Sequence, residues 1–333
     1  MTDCIRITDC LPATDPPEAA GPASAESVTL VRSLAGAMRD ALCSGAVGRM
    51  LVPPRETVED AAGAKFISMP AVSPDHDLYI NKVATIVASP VPGRRATVTS
   101  VVPVFSASTG RFLGTLDGDT VTNLKCAAVT ALVTDRCAAP DSRVLGIIGS
   151  GVQARRQFLG VSAVRDLAEV RVWSRDPDRA AAFARDIEEM AAADGRHVEV
   201  VVAGSAEDAA RGADILSTAT TSVRPLPIGD GLPAHVHINC MGAHTTASRE
   251  VSAELLNSSV VIVEDLRTAL AEAGESHARA IELDALFAPG AEEFTKQGTI
   301  FASTGCAYLD LITCAHLAGR DDFEGFRLTG AAP

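Results

Sequence analysis

Aromatic side chains make up only 4% of this 333-residue chain, with one Trp and two Tyr. So few rings exclude a base-stacking platform for single-stranded nucleic acid. Positive charge is also scarce: 29 Lys and Arg face 42 Asp and Glu, a net charge of -13. That balance excludes nucleic acid and anionic membrane as main partners. No apolar run reaches the roughly 18 to 20 residues that span a bilayer. The N-terminus carries Asp3 and Asp9 and has no apolar signal region. The eight cysteines form no CxxC pair. They are expected to be reduced thiols of a cytoplasmic protein, mostly packed as small apolar residues, and no metal site is expected. No internal repeat is visible. What the chain does have is 47% hydrophobic residues, enough for one large domain or two ordinary ones.

Residues 12–26 are rich in Pro, Ala and Gly, so residues 1–26 are expected to form a flexible leader. Apolar residues then recur at helical spacing over 28–42, with Ser27 as the expected cap. Between 65 and 118 the pattern changes to short β-branched runs bounded by Pro, Gly, Ser and Asp, which predict strands at 65–72, 78–89 and 95–105 and a hairpin into 112–116. An Ala-rich helix is predicted over 120–138. After Pro140, apolar strands alternate with helices, the pattern of a parallel doubly wound sheet. Residues 303–318 return to helix.

Residues 149–154, Gly-Ser-Gly-Val-Gln-Ala, follow a predicted strand and open a helix, fitting G-x-G-x-x-A. The first Gly permits the turn, the second lets a pyrophosphate approach, and Ala154 lets the helix pack closely. Phosphates then face the helix N-terminus. The other reading is a Gly-rich turn in a nucleotide-free domain. Gly149, Ser150, Gly151, Val152 and Gln153 are therefore candidate dinucleotide contacts. The next strand ends Trp173-Ser174-Arg175-Asp176 rather than directly in an acid. Ser174 and Arg175 suit a 2′-phosphate, so NADP(H) is expected, with NAD(H) open if Asp176 takes the ribose instead. Asp176 can equally be a helix cap.

The chain resembles the ornithine cyclodeaminase/mu-crystallin family. The resemblance is carried, in order, by VPPRE (52–56), SMPAV (68–72), INKVATI (80–86), STGRFLGTLDGDTVTNLKCAA (108–128) and RVLGIIGSGVQA (143–154). ADILSTAT (213–220), HINCMGA (237–243) and FASTGCAYLD (301–310) complete it, over roughly residues 28–318. It implies an α/β fold: a Rossmann doubly wound parallel sheet (126–303) plus a discontinuous α+β substrate and dimerisation domain (27–125 and 304–330). It also implies a homodimer and a small amino-acid or imino-acid substrate. Hydride exchange at a carbon bearing nitrogen needs cations for the substrate carboxylate and a proton donor or acceptor beside the C–N bond.

Arg55 and Lys82 fall on the family's carboxylate-binding Arg and active-site Lys; alone, each reads as a surface cation. Met69 matches a pocket residue, though by itself it reads as core. Glu272 matches a substrate-pocket acid in some members and equally suits a helix surface. Thr99, Ala219, Thr220, Met241, Ala243 and Ser303 are carried over as cofactor contacts.

Two departures stand out. The family's LTxxRTAA motif reads VTNLKCAA, so Lys125 replaces an Arg that contacts substrate and cofactor and loses its planar fork. Cys126 beside it is either a thiol activated by Lys125 or a small packed residue. His244 stands where cyclodeaminases carry an Asp. It is either an acid–base group or a satisfied loop histidine, and it disfavours ornithine cyclodeamination. The sequence thus predicts an NADP-preferring imine reductase or amino-acid dehydrogenase, with Lys82 and His244 as proton donors. The alternatives are a cyclodeaminase with bound NAD and a non-enzymatic NADPH-dependent binding protein of mu-crystallin type.

Overall fold

A computed structural model describes residues 25–87, 97–242 and 245–319. Two sheets organise it. The first is antiparallel and runs in sequence order: β1 (Glu56–Glu59), β2 (Lys65–Ser73), β3 (Leu78–Val87), β4 (Thr97–Ser106) and β5 (Phe112–Asp117). Period-2 alternation gives it one buried face, with Met69, Ala71, Ile80, Lys82, Val102 and Val104. The opposite face carries Val58, Phe66, Val83, Val101 and Phe112, each 39 to 66% exposed, with Tyr79 stacked on Phe105.

The second sheet is parallel throughout. Its strands are β6 (Val144–Ile148), β7 (Glu169–Trp173), β8 (Glu199–Val202), β9 (Ile215–Thr218), β10 (His237–Cys240), β11 (Val260–Val263), β12 (Ile281–Glu282) and β13 (Thr299–Ala302). Their order is β12-β11-β13-β10-β9-β6-β7-β8. The order reverses between β6 and β9, the switch point at which ligands of open α/β sheets bind. The short β1, β12 and β13 are absent from the sequence-based expectation, being too brief or too lightly patterned to stand out.

The helices are α1 (Ala25–Cys43), α2 (Ala46–Arg49), α3 (Gly118–Cys137), α4 (Val152–Ser162), α5 (Pro177–Ala193), α6 (Ala206–Ala210), α7 (Ala253–Ser258), α8 (Leu266–Ala273) and α9 (Ala307–Ala318). Helix α1 starts at Ala25, so Ser27 lies inside it and is not its cap. Of the expected leader, residues 1–24 lie outside the described residues. Asp117 caps α3 by accepting from the Thr120 N–H. Helix α3 is buried on nearly every side, as befits a central helix. It packs on α1, α4 and α9 and contacts both sheets. The expected division at residues 125/126 falls in the middle of this continuous helix. Among the described residues no helix is long and apolar enough to cross a membrane, and no cluster of side chains could hold a metal ion.

Beneath β10 and β13 lies a buried polar ladder. The His237 ring nitrogens meet the Thr299 hydroxyl at 2.9 Å and the Asn239 side-chain oxygen at 3.2 Å, and Asn239 donates to the Thr134 hydroxyl of α3. Burial lowers the His237 pKa to about 3, so the ring is neutral.

Candidate active site

A candidate adenosine end lies at the carboxyl ends of β6, β7 and β9. One cleft is lined by Gly149, Ser150, Gly151, Trp173, Ser174, Arg175, Ala219 and Thr220. Gly149 has φ +118, and a Cβ there would lie 2.4 Å from the Ala219 carbonyl oxygen, so only glycine lets β6 turn here. Gly151 caps α4 without a side chain, leaving the first N–H groups of that helix free of a side-chain cap. The Ser150 hydroxyl donates to the Ser174 hydroxyl at 3.0 Å, tying the glycine turn to the end of β7. Asp176 is not among the residues lining this cleft, and its carboxylate accepts from the Asp178 and Arg179 N–H groups to cap α5. The cleft offers a glycine cradle, a helix N-terminus, hydroxyls and a guanidinium. These fit a phosphorylated dinucleotide.

Several expected contacts are not among the described residues lining this cleft. Val152 opens α4 and is 54% exposed. The Gln153 side chain is turned onto α3, donating to the Asn123 side-chain oxygen at 3.2 Å. Thr99 pairs with Thr85, three residues along β3 from Lys82, so strand alternation puts it on the exposed face of the first sheet, away from Lys82. This corrects its reading as a cofactor contact. Met241 is half-buried against the main core, at the end of β10. Ala243 and His244 lie outside the described residues.

A candidate substrate end is a second construction. Lys82 on β3, Lys125 on α3 and Asp310 in the first turn of α9 meet in the interior. Lys82 Nζ lies 2.7 Å from Asp310 Oδ2, and Lys125 Nζ lies 3.5 Å from Oδ1. Asp310 is fully buried and both lysines nearly so. With both amines protonated, the cluster carries one excess positive charge. Burial lowers the Lys82 pKa, and Lys125 adds to this against the pull of Asp310. Burial opposes charge on Lys125 as well, but there Asp310, helped by Glu264, prevails and its pKa is raised. Asp310 is itself held below the usual carboxylate range: its burial is outweighed by the two lysines. The two amines thus shift in opposite directions within one cluster.

Met69 is the cross-strand partner of Lys82. It lines a narrow cleft with Val52, Arg55, Gly305 and Cys306, and Gly305 packs over the Lys125 amine. Arg55 Nε pairs with Glu272 Oε1 at 2.6 Å, which brings two predicted substrate residues together. Cys126 is buried and its thiol pKa is raised by that burial despite Lys125 and Lys82, so it is the packed residue and not an activated thiol.

Two buried carboxylates join these ends. Glu264 accepts from the Ser303 hydroxyl and from the Thr304 and Gly305 N–H groups, fixing the turn between β13 and α9. Glu250 does the same between β9 and β10. Sequence reasoning missed Asp310, Glu250, Glu264 and Trp173. Asp310 had a signal, as an acid in the otherwise apolar helix AYLDLITCAHLA. Glu264 ends the apolar run VVIVE, and Trp173 closes β7.

The ornithine cyclodeaminase/mu-crystallin family model matches residues 21–317. The ketimine reductase mu-crystallin of Rattus norvegicus is 31% identical over 277 residues, covering 80% of this chain and 84% of that protein. The Thermococcus litoralis Δ1-pyrroline-2-carboxylate reductase, solved with NADH and L-proline, superposes with a TM-score of 0.69 at 26% identity, over 87% of this chain and 91% of that one. A lysine cyclodeaminase solved for its recognition of L-lysine, L-ornithine and L-2,4-diaminobutyric acid gives 0.75 at 29% identity, over 88% and 89%. With the family model matching most of the chain and a relative 31% identical over 80% of it, the chain belongs to the ornithine cyclodeaminase/mu-crystallin family.

Proposed function

We propose that this chain is a nicotinamide-dependent oxidoreductase acting on the C–N bond of a small amino acid or its imine, working as an NADP-preferring imine reductase. The observation that carries this reading is the Lys82–Asp310–Lys125 cluster, a buried site with one positive charge in excess. A substrate carboxylate would neutralise it. Ketimine and pyrroline-2-carboxylate reductases among the relatives support the same reaction class.

The bound cofactor supplies hydride transfer to or from the carbon that bears nitrogen. Gly149, Ser150, Gly151 and the start of α4 would hold its pyrophosphate, Thr220 would line the same cleft, and Ser303 would meet its nicotinamide side. Ser174 and Arg175 support the NADP preference, since Asp176 is committed to capping α5. Lys125, whose charge Asp310 secures, anchors the substrate carboxylate, and Arg55 flanks it across the Met69 cleft. Lys82, the amine with the lowered pKa, gives a proton to the imine side in reduction and takes it back in oxidation. Asp310 lies against both amines and keeps Lys82 from losing its proton too early. A second proton role for His244 rests on the sequence alone. The apolar outer face of the first sheet supports a homodimer.

Nicotinamide absorbance tests the reading. Purified protein is offered NADPH or NADH with small cyclic imino acids, and ornithine and lysine are assayed for ammonia. Oxidation of NADPH by a cyclic imino acid is the expected result. Ammonia release without net absorbance change overturns it in favour of a cyclodeaminase.

A further inference from the structure

We infer that Glu250 is a positioning residue for the cofactor cleft: its buried carboxylate locks the carboxyl ends of β9 and β10 into one floor. The inference rests on the reading that the cleft binds a nicotinamide dinucleotide. Glu250 is fully buried on the loop that follows β10. Its Oε1 accepts from the Thr220 N–H at 2.7 Å and the Thr220 hydroxyl at 2.6 Å. Its Oε2 accepts from the Thr218 hydroxyl at 2.7 Å and the Gly242 N–H at 2.8 Å. Four donors thus converge on one carboxylate, and among the described residues no cation forms an ion pair with it. Charge-assisted hydrogen bonds of this kind offset the cost of burying the anion.

The arrangement requires the ion and not merely the shape. Two of the donors are backbone N–H groups, one on each oxygen, and a backbone N–H can only donate. A glutamine would present one oxygen and one NH2, so one of those N–H groups would face another donor. The glycine beside it follows from the same contact. A Cβ at Gly242 would lie 2.3 Å from the Glu250 carboxyl carbon, so the clamp excludes any side chain there.

The clamp acts through Thr220, which lines the cleft beside Ala219. Thr218 is fully buried and cannot itself touch a bound molecule. A change at Thr218 or Glu250 that alters cofactor affinity therefore works by moving the floor.

The test uses quenching of Trp173, the single Trp, which lines the cleft. Dissociation constants for NADPH and NADH are measured for the wild type, E250Q and T218V, well below each protein's melting temperature. E250Q is expected to weaken both by about tenfold, from one buried N–H left without an acceptor. T218V, which removes one donor, is expected to weaken both by about threefold. A lowered melting temperature with wild-type dissociation constants overturns the inference, since that is what a purely structural role gives. Should E250Q fail to fold, T218V decides on the same criterion. A wild-type chain that binds neither nucleotide overturns the cofactor reading and this inference together, and is seen before any variant is made.

Discussion

The candidate dinucleotide cradle, or adenosine end, and the candidate substrate end at the lysine cluster are built in opposite ways. The adenosine end is local: Gly149 to Gly151 and Ser174–Arg175 come from consecutive strand ends, and the backbone does most of the holding. The substrate end is assembled from β3, α3 and α9, and charge holds it together. A backbone cradle tolerates side-chain changes that spare its glycines. A buried ion cluster does not, because each member is stabilised only by the others. Damage at the substrate end should therefore cost both stability and turnover, and damage at the adenosine end should cost affinity alone.

The harshest way to break this contrast is D310A. It leaves two buried ammonium groups facing each other, and the expected loss is about 3 to 5 kcal/mol of unfolding free energy. Chemical denaturation measures it; a loss below about 1 kcal/mol would show that the cluster is not mutually dependent. K82M comes next. It removes the amine with the lowered pKa, and kcat should fall by about 100-fold or more while the NADPH dissociation constant stays within about twofold. In the wild type, the alkaline limb of the kcat profile should lie below the ordinary lysine range, because burial lowers the Lys82 pKa. At the other end, R175A should weaken NADPH by about tenfold, with little effect on NADH and none on melting temperature. Equal weakening of both nucleotides would remove the NADP assignment.

The smallest effect belongs to a region under both ends. His237 has its pKa lowered to about 3 by burial, against 6.5 when free. The unfolded chain therefore takes up a proton as pH falls below 6.5 that the folded chain does not. Stability should drop by about 1 kcal/mol between pH 7 and pH 5.5, with substrate and cofactor affinity shifting little. H237Q should reduce that slope in a pH series of thermal melts, leaving the share of His277, whose pKa burial also lowers.

The same contrast governs how much could be read from the sequence. The glycine turn was legible because its constraint is local: a positive φ at Gly149 and a helix start three residues on leave a short-range pattern. The alternating strands and buried α3 were legible from periodicity. Lys82 and Lys125 came through the family resemblance, since nothing near either residue says that it is buried. Asp310, Glu250 and Glu264 were missed for the same reason: their partners lie far away in the chain or are backbone N–H groups without a side-chain signature. Thr99 was misplaced because a one-residue change in parity sends a strand side chain to the other face of the sheet.

Asp310 also sets a timetable. Helix α9 is the last described element, whereas β6 to β9 and their cleft are complete well before it. During synthesis the nucleotide cradle has all its parts while Lys82 and Lys125 still await their shared counterion. Their burial is favourable only once α9 docks between the first sheet and α3. In chain order, the candidate nucleotide cradle is therefore complete before the candidate substrate cluster.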